Sequence, residues 1–177
     1  MLTGKTVEVY ARNSEGLHVQ KTVRWGLIPT LYAAAPELFD GAITHARLES
    51  VHEKPYFAEC WRKKWRCLFP VKSFQQKVAA GNERFGDGKR ASKVVITRAD
   101  GRPLGIAGIY NAIQTPDGLL ISAAMLTREP GSLMSKIHDR EPVVIEPEAF
   151  ATWLDGADDL DLQAPWPDNA FVCKTAS

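Results

Sequence analysis

Short runs of alternating apolar and polar residues, cut apart by turn formers, restrict this chain more than anything else it carries. Residues 6–11 and 17–23 alternate in this way, with Asn13-Ser14-Glu15-Gly16 between them. Two period-two runs around such a cluster predict a β-hairpin. Residues 25–29 then leave the sheet in a turn, because Gly26 and Pro29 both interrupt regular structure. Further strands are predicted at 66–74, 93–97, 104–111 and 119–125, and a short one at 143–145. Asp100-Gly101 and Pro116-Asp117-Gly118 mark breaks between them.

Helices are few. Residues 54–65 read as one, with Pro55 in its first turn, Tyr56, Cys60 and Lys64 on one side and Phe57 and Trp61 on the next. Residues 147–154 open on Pro147 and Glu148, as a helix N-terminus should. The Gly-, Asn-, Asp- and Lys-rich stretch 79–91 reads as a mobile surface loop. From Asp155 the chain is acidic and Pro-rich. These elements predict an α+β fold with a largely antiparallel, curved sheet flanked by a few helices. One domain over residues 1–177 is expected, since chains split beyond roughly 250 residues. Its tail should be loosely packed from about residue 156.

A formal net charge of +1 excludes the global field of a strongly basic nucleic-acid binder, so any such contact must be local. Three cysteines, Cys60, Cys67 and Cys173, give neither a disulfide framework nor a zinc spacing and suit a reducing compartment. Met1-Leu2-Thr3-Gly4-Lys5 has no apolar signal core, and no apolar run is long enough to span a bilayer. A cytoplasmic monomer without membrane partner, cofactor or metal is the expectation.

A handful of side chains can carry chemistry. His138 lies in Ile137-His138-Asp139-Arg140-Glu141-Pro142, and an imidazole with an unperturbed pKa of about 6.5 suits proton transfer near neutrality. Read alone, it is equally a structural histidine in a loop. Arg47 and Glu49 in His45-Ala46-Arg47-Leu48-Glu49-Ser50 share a side if the segment is extended. Arg47 then either forks onto a phosphate or pairs with Glu49. Trp25 is either a core indole or a stacking surface for an unpaired base. Thr127, read alone, is a strand-end hydroxyl bonded to backbone. Cys67 is a small buried residue rather than a nucleophile. The run Trp61-Arg62-Lys63-Lys64-Trp65-Arg66 interleaves indoles with cations. It reads as a nucleic-acid stripe or, better, as a helix end whose cations complement the dipole.

Arg24-Trp25-Gly26-Leu27-Ile28-Pro29, the His45–Ser50 segment and the Ile137–Pro142 segment, in this order, resemble the SOS response-associated peptidase family of abasic-site DNA-shielding proteins. The resemblance runs from about residue 6 to about residue 154. It implies a barrel-like sheet flanked by helices, with single-stranded or abasic-site DNA as partner. Family members remove their initiator Met, and the exposed Cys closes a thiazolidine on the ring-opened abasic aldehyde through its amine and thiol. The resemblance gives His138 the catalytic histidine role and Arg140 a phosphate contact or a brace. It places Arg47 and Thr127 at the DNA pocket, and Trp25 and Pro29 beside the DNA channel.

Three positions depart from the family. Leu2 stands at the Cys, His45 at an Asn that touches the reacting centre, and Gln76 at the catalytic Glu. Gln76 keeps the shape of a Glu without its titratable proton. The stretch that holds the family's Cys is expected to be missing here. The expectation is therefore a degenerate or truncated form that binds DNA without crosslinking it. The alternatives are an N-terminally shortened active autopeptidase and a non-catalytic interaction module.

Overall fold

The computed structural model describes residues 5–39, 41, 43–78, 92–158 and 160–176. The first hairpin is as expected: β1 (Thr6–Arg12) lies antiparallel to β2 (His18–Trp25), with Thr6 opposite Arg24 and Arg12 opposite His18. Asn13 closes its turn, its Oδ1 accepting from the amides of Glu15 and Leu17 at 3.0 and 2.8 Å. Then come β3 (His45–Arg47), α1 (Ala58–Arg62), β4 (Arg66–Val71), β5 (Phe74–Val78) and β6 (Ser92–Arg98). The long pair β7 (Leu104–Thr115) and β8 (Gly118–Arg128) follows, and after it β9 (Glu141–Pro142), β10 (Val144–Ile145), α2 (Phe150–Leu154) and β11 (Phe171–Thr175).

Five strands close into a barrel. Their order is β7-β4-β1-β2-β8, and β8 pairs back onto β7. All junctions are antiparallel except β2 with β8, which is parallel at Arg24–Ser122 and Trp25–Ala123. Alternation then sorts each strand into an inner and an outer face. Val9, Ala11, Val23, Cys67, Phe69, Ile106 and Ala123 fill the inside. Leu68, Ala107, Ile109, Ala124 and Leu126 face outward into a second core with Trp153 of α2, whose indole donates to the Cys67 carbonyl at 2.9 Å. Gly108 is a glycine for steric reasons. A Cβ there would overlap the Phe69 ring and stand 2.8 Å from the Ala124 carbonyl. Burying Phe69 against that bare backbone stabilises the barrel by about 1.5–3 kcal/mol.

β8 outruns the barrel. Its last residues carry β3 in parallel, Arg47 beside Thr127, and β9 in antiparallel, Arg128 beside Glu141. A separate three-stranded sheet, β11-β6-β5, packs Val78, Val94 and Ile96 on Met134 and Ile137. Among the described residues no helix is long and apolar enough to cross a membrane.

Several expectations change. The helix foreseen at 54–65 is helical only over Ala58–Arg62, because Lys64 takes a left-handed φ of 55° and the chain doubles into β4. The strand foreseen at 66–74 is two strands that belong to different sheets, with the break at Lys72 and Ser73. The loop expected at 79–91 lies outside the described residues. The loose tail expected from about residue 156 is instead tied down by two buried arginines and a strand. Arg66 donates to the Ala157 carbonyl and to Asp158 at 2.5 and 2.9 Å. Arg128 donates to the carbonyls of Leu162 and Ala164 at 2.9 and 2.5 Å, and to Glu141 at 2.8 Å. β11 then pairs along β6 from Phe171 to Thr175.

Candidate functional site

The site lies where β8 leaves the barrel. Trp25 ends β2 there, and its amide donates to the Lys5 carbonyl at 2.7 Å. Gly26 turns the chain with φ +101°, a left-handed value that side chains rarely adopt, while its amide donates to the Ala123 carbonyl at 3.0 Å. Beyond it Leu27 and Ile28 are fully buried. The Ile28 amide donates to Ser122 Oγ at 2.9 Å, and Asn111 Nδ2 donates to the Ile28 carbonyl at 2.8 Å. Pro29 is buried as well. This segment is therefore a latch on the barrel wall, and Pro29 offers no surface to a ligand. Trp25 alone reaches the mouth, half-buried. Its ring meets Phe69 edge-on at 5.3 Å and His45 edge-on at 5.9 Å.

β3 brings His45 and Arg47 to one side, since Ala46 between them points into the core. His45 Nδ1 sits 2.9 Å from Thr44 Oγ1. Although its edge is exposed, burial of the ring, and then the nearby His138, hold its pKa below the usual imidazole value. His45 is therefore neutral near pH 7 and exchanges single hydrogen bonds. Arg47 is exposed and has no ion pair among the described residues.

The anticipated Arg47–Glu49 pair does not form. Residues Leu48–Ser50 turn in a 3-10 helix, which swings Glu49 away to Arg140. Arg140 Nη2 lies 3.0 and 2.7 Å from the two Glu49 oxygens and donates to the Thr127 carbonyl at 2.8 Å. Burial alone would raise the Glu49 carboxyl. The hydrogen bonds and charge of Arg140, with the Glu129 amide at 3.0 Å, outweigh it and hold the pKa below the ordinary carboxylate value. Arg140 thus ties Glu49 to the end of β8. Thr127 is buried, its Oγ1 lying 3.5 Å from the Ala46 carbonyl.

His138 follows a short 3-10 turn, Met134–Lys136, whose Met134 is buried in the second sheet's core. The His138 amide donates to the Met134 carbonyl at 2.8 Å. Its Nδ1 accepts from the Arg140 amide at 3.0 Å and lies 2.9 Å from Asp139 Oδ1. In the neutral ring the Arg140 amide claims Nδ1 and the proton sits on Nε2. In the charged ring Nδ1–H turns to Asp139. Either way Nδ1 is engaged, and among the described residues Nε2 has no partner. Gln76 is placed less directly. It shares a strand side with Phe74 and Val78, which pack against Met134 and Ile137, yet no hydrogen bond joins it to His138 or His45 among the described residues. Cys67 is wholly buried and its thiol is pushed well above the usual range by burial. The Cys60 thiol is pushed up to about 12 for the same reason.

Phe69 and Thr44 contribute to the mouth and were not singled out as site residues in the sequence. The inward position of Phe69 follows from alternation along 66–71, so the signal was present.

The family model described as SOS response associated peptidase (SRAP) matches residues 1–176, and the chain belongs to that family. Similar proteins include the abasic site processing protein YoqW of Bacillus subtilis, 33% identical over 133 residues, which are 75% of this chain and 55% of that one. The abasic site processing protein YedK of Escherichia coli is 26% identical over 155 residues, 85% of this chain and 61% of its own. The chain thus spans little more than half the length of such relatives. A solved structure from Bordetella bronchiseptica superposes with a TM-score of 0.82 at 26% identity, covering 100% of this chain and 86% of the other. A second, from Bacteroides thetaiotaomicron, agrees in fold with a TM-score of 0.80 at 20% identity, over 99% of this chain and 75% of its own.

Proposed function

We propose that this mouth binds single-stranded DNA, with an abasic position as the preferred lesion, and that the 177-residue chain does so without a covalent bond. The observation that carries this reading is Arg47, exposed and without an ion pair among the described residues, on the same side of β3 as His45, which Trp25 meets edge-on. A free guanidinium fork matches a phosphate oxygen pair. The Trp25 indole offers a base a stacking surface worth about 1–3 kcal/mol. A missing base leaves room for the sugar aldehyde beside the two imidazoles. His138 Nε2 is the nitrogen left open for a proton or a hydrogen bond there, since Gln76 has no proton to exchange. The relatives' naming as abasic site processing proteins supports the class of lesion. Leu2 carries no thiol, the thiols of Cys60 and Cys67 are buried, and Cys173 lies within β11 of the other sheet, so none of these residues supplies the amine and thiol together that a thiazolidine ring needs.

Fluorescence anisotropy with a labelled oligonucleotide carrying one abasic position tests this. Affinity should fall as salt rises, and Arg47→Ala should weaken it roughly three- to tenfold. Lys174→Ala, on β11 in the other sheet, should leave it unchanged. Equal affinity of the Arg47→Ala variant and the parent protein would remove the reading. On a heated denaturing gel no shifted band should survive, and a heat-stable adduct would overturn the non-covalent half.

A further inference from the structure

The opposite end of the barrel holds a cavity of about 790 Å³ that none of the residues assigned above lines. Its walls come from the β1–β2 turn, the chain just after α1, and the adjoining ends of β7 and β8. The floor is apolar, with Tyr110 and Ile121 over Val9, Ala11 and Val23. Among the described residues six basic side chains line it against one carboxylate, Asp155. Four of the six are engaged: Arg66 and Lys64 with Asp158 at 2.9 and 2.8 Å, Lys63 with Glu59 at 2.7 Å, and Arg12 with Asp155 at 3.6 Å. Lys21 and Arg62 have no ion pair among the described residues, and they approach from different elements. Helix-dipole complementarity does not account for them. α1 has only five residues, and Lys21 belongs to β2.

The same cavity has a flat aromatic wall. Trp65 stacks on Tyr110 with ring centroids 5.8 Å apart and planes 13° from parallel. The Tyr110 amide donates to the Trp65 carbonyl at 2.9 Å, which fixes the pair. The Lys63 ammonium sits 4.4 Å from the indole centroid, a cation held on a π-face that a base could replace.

We propose that this second mouth binds a nucleotide unit, with its base against the Trp65–Tyr110 wall and its phosphate on Lys21 and Arg62. The unit has two possible sources, a free nucleotide or a residue of a single strand. The site stands apart from the reading of the other mouth and needs none of its residues.

Nitrogen-15 NMR titrations of the whole chain with thymidine monophosphate, a thymidine tetranucleotide and inorganic phosphate test it. The Trp65 indole N–H and the amides of Ala112 and Leu119 should shift with at least one of the two nucleotide probes. A response to the monophosphate identifies the free nucleotide as a sufficient source, and a response to the tetranucleotide alone identifies the strand. Lys21→Glu with Arg62→Glu should weaken that response roughly tenfold or more, and the milder Lys21→Gln with Arg62→Gln by less. Arg47→Ala should leave it intact, which separates failure here from failure at the other mouth. Absence of shifts at Trp65 with both nucleotides, or an unchanged response in the charge-reversed variant, would overturn the proposal. Equal shifts from inorganic phosphate would overturn its aromatic half.

Discussion

The two ends of the barrel are each built over a buried arginine, and the two arginines are used differently. Arg128, under the His45 mouth, pairs with Glu141 at 2.8 Å where both side chains are almost fully buried, 2% and 4% exposed. Arg66, under the far mouth, is as deeply buried, but its partner Asp158 is 69% exposed. Its guanidinium lies instead against two indoles, 4.5 Å from the Trp153 centroid and 4.9 Å from that of Trp61. The contrast teaches how a chain of net charge +1 can offer cations at two places. At one end Glu141 and Glu49 hold Arg128 and Arg140, and Arg47 has no ion pair among the described residues. At the other, aromatic rings and an exposed carboxylate hold Arg66, and Lys21 and Arg62 have no ion pair among the described residues.

The sharpest way to break that comparison is truncation of each arginine. Arg128→Ala strands Glu141 as a buried charge and frees the 162–164 carbonyls, so urea unfolding should show a loss of about 3–5 kcal/mol. Arg66→Ala leaves Asp158 to water and should cost less, about 1–3 kcal/mol. Equal losses would mean that exposure of the partner is not what separates the two ends. Next in size is Gly108→Ala, which forces the Phe69 ring away from the barrel wall. It should cost about 1–3 kcal/mol by thermal or urea unfolding. Because Phe69 supports Trp25, the Trp25 indole signal should move while the Trp65 signal stays, and movement of both would show the ends to be coupled.

The smallest effect concerns pH. His45 has a folded pKa below its unfolded value of about 6.5, so the unfolded chain binds the extra proton. Its contribution is therefore complete above about pH 6.5 and is lost as pH falls toward the folded value. Tm should decline modestly between pH 7 and 5.5, and His45→Gln should flatten that slope. A slope unchanged by the substitution would assign it to another group.

Much of the barrel was legible in the sequence, because alternation reports directly on a strand with one buried face. The β1–β2 hairpin was found that way, while β7, buried over Leu104–Ile109 on both faces, and β8 were marked by the turns that bound them, and both run on beyond the expected ends to Thr115 and Arg128. Pairing partners outside the local window set those ends. β3 escaped notice because three residues hold too little pattern, and its pairing with β8 is a tertiary event. β11 was hidden in an acidic, Pro-rich stretch whose composition argued for slack packing. At the site, the three segments did converge at one end of the barrel in the order that the resemblance implied. The distribution of charge among them could not be read, since alternation placed Glu49 with Arg47 and a single 3-10 turn gave it to Arg140. Gln76 stands on β5 of the second sheet, a placement that the single strand expected over 66–74 could not convey.

The bond from the Trp25 amide to the Lys5 carbonyl has a practical corollary. Whatever polypeptide is fused ahead of Lys5 sets out from beside the His45 mouth, whereas an extension after Ala176 leaves from the β6 side, where that residue's amide donates to Lys93. A fluorophore carried on residue 5 would therefore report on the His45 mouth, and one on residue 176 on the second sheet.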